Sequence, residues 1–432
     1  MEYGLIGGKL GHSYSKEIHE KIGGYVYELL ELPTESEARA FLQAKAFKAI
    51  NVTIPYKRLA FEMCDELGPA AEAIGAVNTV VNRGGRLYGY NTDYAGFSWL
   101  ARRHNVSFAG KSVLILGTGG TSRTVEAVCR DAGAATVYKV SRSGKDGALT
   151  YEQAARRQDT QVLINTSPAG MYPEVGRCLV DLAAYPHLEA VLDAVYNPFR
   201  TELLLRAAER GVPAWCGFEM LVAQAVYAAV YFTGSELDKN ELIRQIHHDL
   251  RRDLSNISII GMPGCGKSTV GRVLAEQLGK IYVDLDEWVE AHAGMPIPDI
   301  FAREGEAAFR RYEAEAVASV SREHGQVIAC GGGVIKTPGN ARLLRQNGPV
   351  LWVRRPLQHL ATGGRPLSTG PAALRRMEAE REPAYRAAAD AVIDNTARPE
   401  DAVRAAGEAF EKGFGPLDWP PPTNVERSGL FW

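Results

Sequence analysis

The sequence predicts an α/β fold with parallel sheets, because three short apolar runs each lead into a glycine-rich turn. These are V-L-I-L-G-T-G-G at residues 113–120, I-S-I-I-G-M-P-G-C-G-K-S-T at 257–269 and V-I-A-C-G-G-G-V-I at 327–335. Apolar runs that alternate with helical stretches are typical of buried parallel strands joined by helices. The length of 432 residues suggests roughly three domains.

Charge and cysteine content argue against several classes of protein. The net charge of −2 speaks against a nucleic-acid binder or a polybasic membrane-surface protein. No run reaches the ~18 apolar residues of a membrane helix, and the start M-E-Y-G-L-I-G-G-K-L does not resemble a signal peptide. The six cysteines form no C-x-x-C pair. We therefore expect reduced thiols, a cytoplasmic location and small-molecule partners, with neither nucleic acid nor membrane among them.

The stretch 261–269 fits the pattern G-x-x-x-x-G-K-[ST] completely, between an apolar strand and a helix. The pattern predicts an ATP site, because backbone N–H groups wrap the phosphates, Lys267 reaches the β and γ phosphates, and the Ser268 hydroxyl binds Mg²⁺. The predicted phosphate-binding residues are Gly264, Cys265, Gly266, Lys267, Ser268 and Thr269. In V-D-L-D-E, Asp284 and Asp286 are expected on one side of the next strand, at its carboxyl end. One carboxylate would serve the metal and the other the acceptor hydroxyl.

Further arginines and glycines follow in a fixed order. They are F-A-R-E-G-E-A-A-F-R-R-Y-E, G-G-G at 331–333, G-G-R-P-L at 363–367 and R-E-P-A-Y at 381–385. With the phosphate loop, they resemble shikimate kinase over residues 255–412. The lid A-T-G-G-R-P-L-S-T-G is short for that family, which leaves the adenine contacts open.

The resemblance to shikimate kinase implies roles for individual residues. Arg310 and Arg381 would hold the shikimate carboxylate, since a planar guanidinium suits a bidentate pair. Gly332 would let the backbone approach the ring, and Arg365 in the lid would close over the transferring phosphoryl group. Asp286 would accept or orient the 3-hydroxyl. The implied catalytic residues of this half are Lys267, Asp286 and Arg365, and the implied metal ligands are Ser268 and Asp284.

A second glycine turn, G-T-G-G-T-S at 117–122, is a partial dinucleotide-binding fingerprint. At the end of the following strand, where an NAD enzyme carries an acidic residue for the ribose, the chain has S-R-S at 141–143. A carboxylate would repel a 2′-phosphate, whereas an arginine flanked by hydroxyls attracts it, so NADP(H) is predicted over NAD(H). The predicted cofactor contacts are Gly117, Thr118, Gly119, Gly120, Thr121, Ser141, Arg142 and Ser143.

Short motifs rich in hydroxyl and amide side chains lie on both sides of this turn. They are G-H-S-Y-S at 11–15, N-V-T-I-P-Y-K at 51–57, G-A-V-N-T at 75–79, Y-N-T-D at 90–93, N-T-S-P-A-G-M at 165–171, D-A-V-Y-N-P at 193–198 and G-F-E-M-L-V-A-Q-A at 217–225. Such a set suits a ligand with several hydroxyl groups and one carboxylate. Together the motifs resemble shikimate dehydrogenase over residues 1–250.

The second resemblance implies reduction of the 3-keto group of 3-dehydroshikimate. Lys57 and Asp93 would be the catalytic pair, because an ammonium beside a carboxylate can donate a proton and stabilise the developing alkoxide. Which of the two carries the proton stays open. The implied substrate-binding residues are Ser13, Ser15, Thr53, Lys57, Asn78, Asp93, Tyr196 and Gln224, and Val195 and Gly217 would lie on the cofactor side.

The sequence thus predicts a bifunctional enzyme that uses NADP(H), ATP and Mg²⁺ to make shikimate and then shikimate 3-phosphate. The predicted parts are a substrate-binding domain at 1–92 completed by 218–250, an NADP-binding Rossmann domain at 93–217, a P-loop kinase domain at 251–412 and a tail at 413–432. A solvated helix is expected at 235–253. One alternative is a quinate dehydrogenase with a related polyol-acid kinase, and another is an inactive binding module in one half. Channelling of shikimate and the oligomeric state, a homo-oligomer included, stay open.

Overall fold

The computed structural model describes residues 1–11, 13–360 and 371–413, and it has the α/β architecture that the sequence predicts. Contacts divide the described chain into two compact units. The first comprises Met1–Asn197 and Thr201–His247, and the second comprises Pro198–Arg200 and residues 248–413. Apart from residue 413, the predicted tail lies outside the described residues.

The first sheet of the first unit has six strands. They are β1 Tyr3–Gly7, β2 Tyr27–Glu31, β3 Ala49–Val52, β4 Glu66–Leu67, β5 Thr79–Arg83 and β6 Arg86–Tyr90, in the order β2-β1-β3-β5-β6-β4. The helices between them are α1 Ser15–Ile22, α2 Glu35–Ala44, α3 Lys57–Met63 and α4 Pro69–Ile74. β5 is antiparallel to both of its neighbours and the other pairs are parallel. The carboxyl ends of β1, β3 and β6 and the amino end of β5 therefore meet at one edge.

The second sheet of this unit is wholly parallel, with the order β11-β10-β9-β7-β8. Its strands are β7 Ser112–Leu116, β8 Thr136–Val140, β9 Val162–Asn165, β10 Ala190–Asp193 and β11 Ala214–Cys216. The accompanying helices are α5 Thr92–Arg103, α6 Gly120–Asp131, α7 Tyr151–Ala155 and α8 Glu202–Glu209. Every residue of β7, β9 and β10 is buried, as expected for parallel strands covered on both faces.

Two long helices follow, α9 Phe218–Thr233 and α10 Lys239–Leu254. The expectation that α10 is a solvated connector is wrong. Ile243, Ile246, His247 and Leu250 are at most 4% exposed, and this i, i+3, i+4, i+7 spacing forms one buried face. The high average charge of the stretch conceals the apolar stripe. No helix in the described part of the chain is both long and apolar enough to cross a membrane.

The second unit contains the third sheet, also wholly parallel, with the order β13-β14-β12-β15-β16. Its strands are β12 Ile257–Ile260, β13 Ile281–Asp284, β14 Gln326–Ala329, β15 Val350–Arg354 and β16 Ala391–Asp394. Its helices are α11 Lys267–Leu278, α12 Leu285–Ala293, α13 Ile297–Arg303, α14 Gly305–Val320, α15 Asn340–Gln346, α16 Pro371–Ala388 and α17 Pro399–Lys412. All six cysteines lie within described residues as free thiols.

The buried face of α10 gives a stability prediction. Because Ile243 is fully buried, Ile243→Ala should lower the free energy of unfolding by about 2–5 kcal/mol, as large-to-small core substitutions do. The exposed Glu241, two residues away on the same helix, provides the control Glu241→Ala, which should change stability by less than about 0.5 kcal/mol. Thermal or urea unfolding measures both, and equal effects would mean that α10 is not packed.

Candidate active sites

One edge of the six-stranded sheet collects most of the residues predicted to bind the first substrate. Ser13 and Ser15 follow β1, and Thr53 and Lys57 follow β3. Asp93 follows β6, and Asn78 immediately precedes β5. Since these strand ends meet at the same edge, the alternation of strand directions places residues distant in sequence around one site.

The predicted catalytic pair is in direct contact. Lys57 is the first residue of α3 and Asp93 the second residue of α5. The Lys57 ammonium donates to Asp93 Oδ2 at 2.6 Å, and the two side chains are 23% and 14% exposed. Partial burial strengthens such an ion pair relative to a surface pair. The pair can hold a proton donor in a fixed position while remaining reachable by a ligand.

A buried amide network connects this pair to the helix that carries Gln224. Asn78 Oδ1 accepts from the Thr92 backbone N–H at 2.7 Å. The Thr92 hydroxyl lies 3.2 Å from Asn78 Oδ1 and 3.4 Å from Gln224 Oε1. Thr92 begins α5 directly before Asp93, so the network fixes the start of this helix between two predicted substrate residues.

Asn51 belongs to the same network, although the sequence reasoning did not select it. Its side-chain N–H group donates to Asn78 O at 3.2 Å and to Thr79 Oγ1 at 3.1 Å, and its oxygen accepts from the Tyr27 hydroxyl at 2.8 Å. Asn51 is 5% exposed. Asn51 therefore helps to hold Asn78 in place by a hydrogen bond to its backbone. Asn51 is the first residue of the motif N-V-T-I-P-Y-K, and this position could have identified it.

Ser13 and Tyr196 lie in loops, and Ser15 is the first residue of α1. The Ser13 hydroxyl donates to Ser15 Oγ at 3.0 Å and also accepts from the Ser15 backbone N–H at 3.2 Å. Between the serines, Tyr14 places its ring 5.9 Å from that of Tyr196. Burial raises the pKa of Tyr196, so its hydroxyl stays protonated and can donate a hydrogen bond.

The turn after β7 has the geometry of an anion-binding site. Gly117 has φ of 120°, and a Cβ there would lie 2.8 Å from Thr166 Oγ1, so only glycine fits. The Ser122 hydroxyl donates to Gly117 O at 2.8 Å and stabilises the turn. Thr118, Gly119 and Gly120 are exposed, Thr121 is half-buried, and no described side chain caps α6. Its first backbone N–H groups remain available to a phosphate.

The residues expected to select NADP(H) follow β8. Arg142 and Ser143 are exposed, whereas Ser141 Oγ accepts from the Gly144 backbone N–H at 3.1 Å. Ser141 therefore shapes the loop, and the guanidinium of Arg142 remains accessible to an anion.

Val195 and Gly217 are adjacent, since the Gly217 N–H donates to Val195 O at 3.1 Å. A Cβ on Gly217 would collide with Ala194 O. Nearby, the carboxylate of Asp193 accepts from Asn165 Nδ2, the Val195 N–H and the Thr201 hydroxyl at 2.9, 3.0 and 2.6 Å. Burial nevertheless raises the pKa of Asp193 to about 7.

In the second unit, a cavity of about 370 Å³ brings the predicted kinase residues together. Those that line it are Lys267, Ser268, Asp284, Asp286, Arg310, Gly332 and Arg381. Its remaining wall includes the apolar side chains Phe301, Phe309 and Met377. Arg365 lies outside the described residues, as does the rest of the lid segment 361–370.

The phosphate loop joins β12 to α11 with positive φ angles at three glycines, Gly261, Gly264 and Gly266. The Lys267 ammonium donates to Gly261 O and Met262 O, each at 3.1 Å. The Cys265 side chain is fully buried, so only its backbone can face a phosphate. Thr269 follows in the first turn of α11.

Asn395 stabilises the phosphate loop by a hydrogen bond to its backbone. Its side-chain N–H donates to Cys265 O at 2.7 Å, and a Cβ on Gly266 would collide with it. The loop is thereby connected to the residue that follows β16.

The expectation that Asp284 and Asp286 lie on one side of a strand is wrong. β13 ends at Asp284, which caps α12 by accepting from the Asp286 backbone N–H at 3.0 Å. Asp286 therefore lies in the first helical turn, and both carboxylates still line the cavity. Ser268 Oγ donates to Asp284 Oδ2 at 3.0 Å. This hydroxyl and carboxylate fit Mg²⁺, which takes few protein oxygens and completes its shell with water and phosphate.

The arginines of the cavity are held in place by hydrogen bonds. Arg381 Nη1 donates to Gly332 O at 2.8 Å, and the Tyr385 hydroxyl donates to the same oxygen. Arg310 Nη1 donates to Glu313 Oε2 at 2.8 Å. Burial raises the pKa of Glu313, which is 1% exposed, although the charge of Arg310 lowers it. The sequence reasoning missed Glu313, whose signal is its i+3 spacing from Arg310 in F-R-R-Y-E.

Comparison with known proteins assigns a family to each half. The model for the shikimate dehydrogenase substrate binding domain matches residues 5–80, and the shikimate kinase model matches residues 263–410. The shikimate dehydrogenase (NADP(+)) of Clostridium perfringens is 35% identical over 255 residues, which cover 55% of this chain and 94% of that protein. The enzyme of Clostridium beijerinckii is 35% identical over 262 residues, covering 57% and 96%.

Solved structures resemble the first half. A chorismate mutase/shikimate 5-dehydrogenase fusion protein from Clostridium acetobutylicum has a TM-score of 0.55 and 33% identity, covering 57% of this chain and 96% of its own. Shikimate 5-dehydrogenase from Thermus thermophilus, solved with NADP(H) and shikimate, has a TM-score of 0.52 and 26% identity, covering 58% and 99%.

Folds, sites and relatives together define a dehydrogenase joined to a phosphate-loop kinase. The chain belongs to the shikimate dehydrogenase family, and residues 263–410 form a shikimate kinase domain. It is a bifunctional enzyme of the shikimate pathway with an NADP-dependent dehydrogenase and an ATP-using kinase. Both resemblances predicted from the sequence are confirmed.

The raised pKa of Asp193 gives a pH-dependence prediction. Between its usual pKa near 3.8 and about 7, the folded chain keeps a proton that the unfolded chain has lost. The free energy of unfolding should therefore fall as pH rises through this window, by about 1.4 kcal/mol per pH unit at most. Asp193→Asn removes the titration. The free energy of unfolding of both proteins should be measured between pH 5 and 8. Relative to the variant, the wild type should lose stability as pH rises to about 7 and should lose no more above it. A pH-independent difference would contradict the shift.

Proposed function

We propose that the first unit reduces 3-dehydroshikimate to shikimate and that the second unit phosphorylates the shikimate 3-hydroxyl. The observation that carries the first assignment is the Lys57–Asp93 ion pair at the carboxyl edge of the sheet. For the second it is the cavity that joins the phosphate loop to Arg310 and Arg381. The product of the first reaction is the substrate of the second, which makes the two assignments mutually supportive.

In the dehydrogenase, the Lys57 ammonium would donate a proton to the C3 carbonyl oxygen and stabilise the negative charge that develops there. Asp93 would orient the ammonium through the 2.6 Å hydrogen bond. Bound NADPH would supply the hydride. Substrate hydroxyl and carboxylate groups would be held by Ser13, Ser15, Thr53, Asn78, Tyr196 and Gln224.

The NADPH site would be formed by the turn after β7 and the loop after β8. The exposed N–H groups at the start of α6 would hold the pyrophosphate, and Arg142 would pair with the 2′-phosphate. Val195 and Gly217 would line the nicotinamide side.

In the kinase, Arg310 and Arg381 would hold the shikimate carboxylate. Asp286 would orient the 3-hydroxyl, and Glu313 would keep Arg310 in position. Lys267 and the backbone N–H groups of the phosphate loop would bind the phosphates. Bound Mg²⁺, held by Ser268 and Asp284, would neutralise phosphate charge. Transfer then needs positioning rather than covalent catalysis by the protein.

We assign the substrate-binding domain to residues 1–92 with 218–250, the NADP domain to 93–217 and the kinase domain to 251–412. Contacts of α9 with α1, β3 and β5 support the return of the chain to the first sheet. We further propose that the enzyme acts in the cytoplasm, which the six free cysteines support.

A coupled assay with two variants tests the function. Supplied with 3-dehydroshikimate, NADPH and ATP–Mg²⁺, the wild-type chain should form shikimate 3-phosphate. Lys57→Met should lower dehydrogenase kcat by at least about 10²-fold, the lower range for general acid catalysis, and leave shikimate phosphorylation intact. Asp286→Asn should do the reverse.

The exposed Lys48, paired with Glu2, and Asp401 on α17 provide the matched controls Lys48→Met and Asp401→Asn, which should retain both activities. Loss of both activities from either active-site change would contradict two independent sites. A clear preference for quinate with NAD over shikimate with NADP would contradict the substrate assignment.

The role of Arg142 predicts a cofactor effect. Arg142→Ala should raise the KM for NADPH about 10- to 100-fold, the value of a charged hydrogen bond, and leave the KM for NADH within about twofold. The exposed Arg156, just after α7, gives the control Arg156→Ala, for which neither KM should change. Steady-state kinetics with both cofactors measure this, and an equal rise in both KM values would show that Arg142 does not read the 2′-phosphate.

A further inference from the structure

A buried carboxylate at the start of α9 has no role in the mechanism above. Glu219 is the second residue of this helix and is 5% exposed. Removing a carboxylate from water is costly unless charges and hydrogen bonds compensate. The surroundings of Glu219 supply both, and they belong to two other helices.

The main partner of Glu219 is His104, directly after α5. His104 Nε2 lies 2.8 Å from Glu219 Oε2, and the two side chains are 8% and 7% exposed. The Trp215 ring stacks on the imidazole at 4.7 Å, which fixes the orientation of His104. A second histidine, His247 on α10, has Nε2 3.9 Å from Glu219 Oε1.

These neighbours keep Glu219 charged. Burial alone would raise its pKa, but the hydrogen bond with His104 and the charges of His104, His247 and Arg103 lower it below the usual value. The amino end of α9 adds a favourable dipole. Glu219 is therefore a carboxylate at neutral pH, with cationic or hydrogen-bonding groups facing it from the carboxyl end of α5 and from α10.

The pair lies at one end of a close helix contact. At Gly96, a Cβ on α5 would be 2.6 Å from Met220 O and 3.0 Å from Gln224 Cβ of α9, so the backbones of the two helices nearly touch. On one side of this contact Thr92 meets Gln224, and on the other side His104 meets Glu219. The two helices run antiparallel, with one polar contact on each side of the glycine.

We propose that Glu219 is a positioning residue of the dehydrogenase, acting with His104 to fix the crossing of α5 and α9. This inference rests on the proposed function, since α5 carries Asp93 and α9 carries Gln224. Without the Glu219–His104 contact, the apolar core that the two helices share and the Thr92–Gln224 hydrogen bond would remain. A rotation of α5 about Gly96 would then move Asp93, and with it Lys57, relative to the substrate. The Glu219–His104 contact prevents this rotation.

A double substitution separates positioning from stability. Buried ion pairs can be replaced by apolar side chains of similar size without loss of stability. Glu219→Met with His104→Met should therefore keep or raise Tm, whereas kcat/KM for 3-dehydroshikimate should fall at least about 10-fold, because small displacements of reacting groups are costly. Phosphorylation of shikimate by the same chain should be unchanged.

The matched control is the Glu202–Arg206 pair, in which Arg206 Nε lies 2.7 Å from Glu202 Oε1 within α8. Glu202→Met with Arg206→Met removes an ion pair whose two members belong to one helix that carries none of the predicted site residues, so kcat/KM should stay within twofold. The inference would be overturned if the Glu219/His104 double variant had an unchanged Tm and a kcat/KM within twofold of the wild-type value. A wild-type chain that does not reduce 3-dehydroshikimate would instead refute the proposed function.

If the double variant has a lowered Tm, single variants decide the question below both melting temperatures. Glu219→Gln keeps an oxygen for His104 and should retain kcat/KM within about threefold, whereas Glu219→Met should lose it. Equal activity of the two variants would overturn the inference. A role in stability alone would lower Tm in both and leave kcat/KM of the folded protein unchanged.

Discussion

Strand direction is the constraint on which both active sites depend. A parallel strand must be followed by a crossover, and the helix that begins there presents unpaired N–H groups at the carboxyl edge of the sheet. Lys57, Asp93, Gly120 and Lys267 all lie in the first turn of such a helix. In the six-stranded sheet, the single antiparallel strand β5 brings Asn78 to the same edge by its amino end. The chemistry of the chain is thus concentrated where the backbone changes from strand to helix.

Charge is handled differently at the two sites. In the first unit, the Lys57–Asp93 pair is neutral as a unit, since one ammonium meets one carboxylate. The kinase cavity holds Lys267, Arg310 and Arg381 opposite Asp284, Asp286 and Glu313. Lys267 belongs to the phosphate loop, Arg381 donates to Gly332 O, and Glu313 pairs with Arg310. The Arg310–Glu313 ion pair and the hydrogen bond from Arg381 to Gly332 O limit the cost of burying these charged groups.

A short stretch of sequence determines some parts of the fold and of the sites, and these parts could be predicted. The phosphate loop is contiguous in the sequence. Its glycines mark the positions where the backbone takes positive φ angles, so the pattern could be read directly. Lys57 and Asp93 could be selected from family motifs, although their contact at 2.6 Å depends on strand order. Asn51 and Glu313 were missed because each acts by holding another site residue in place from a buried position. A local sequence pattern does not show such a contact. The α10 prediction was wrong because the average charge of the stretch was weighed above the spacing of Ile243 and Ile246.

The hydrogen bond from Asn395 to Cys265 O has a consequence for the order in which the enzyme matures on the ribosome. The phosphate loop is made at residues 261–269, but the residue that supports it follows β16, about 130 residues later. The Lys57–Asp93 pair and the network that reaches Gln224 are complete once residue 224 has been made. During synthesis the first activity can therefore be assembled while the nucleotide site of the second still lacks its support. The residues of the two sites are thus completed along the chain in the same order as the two reactions.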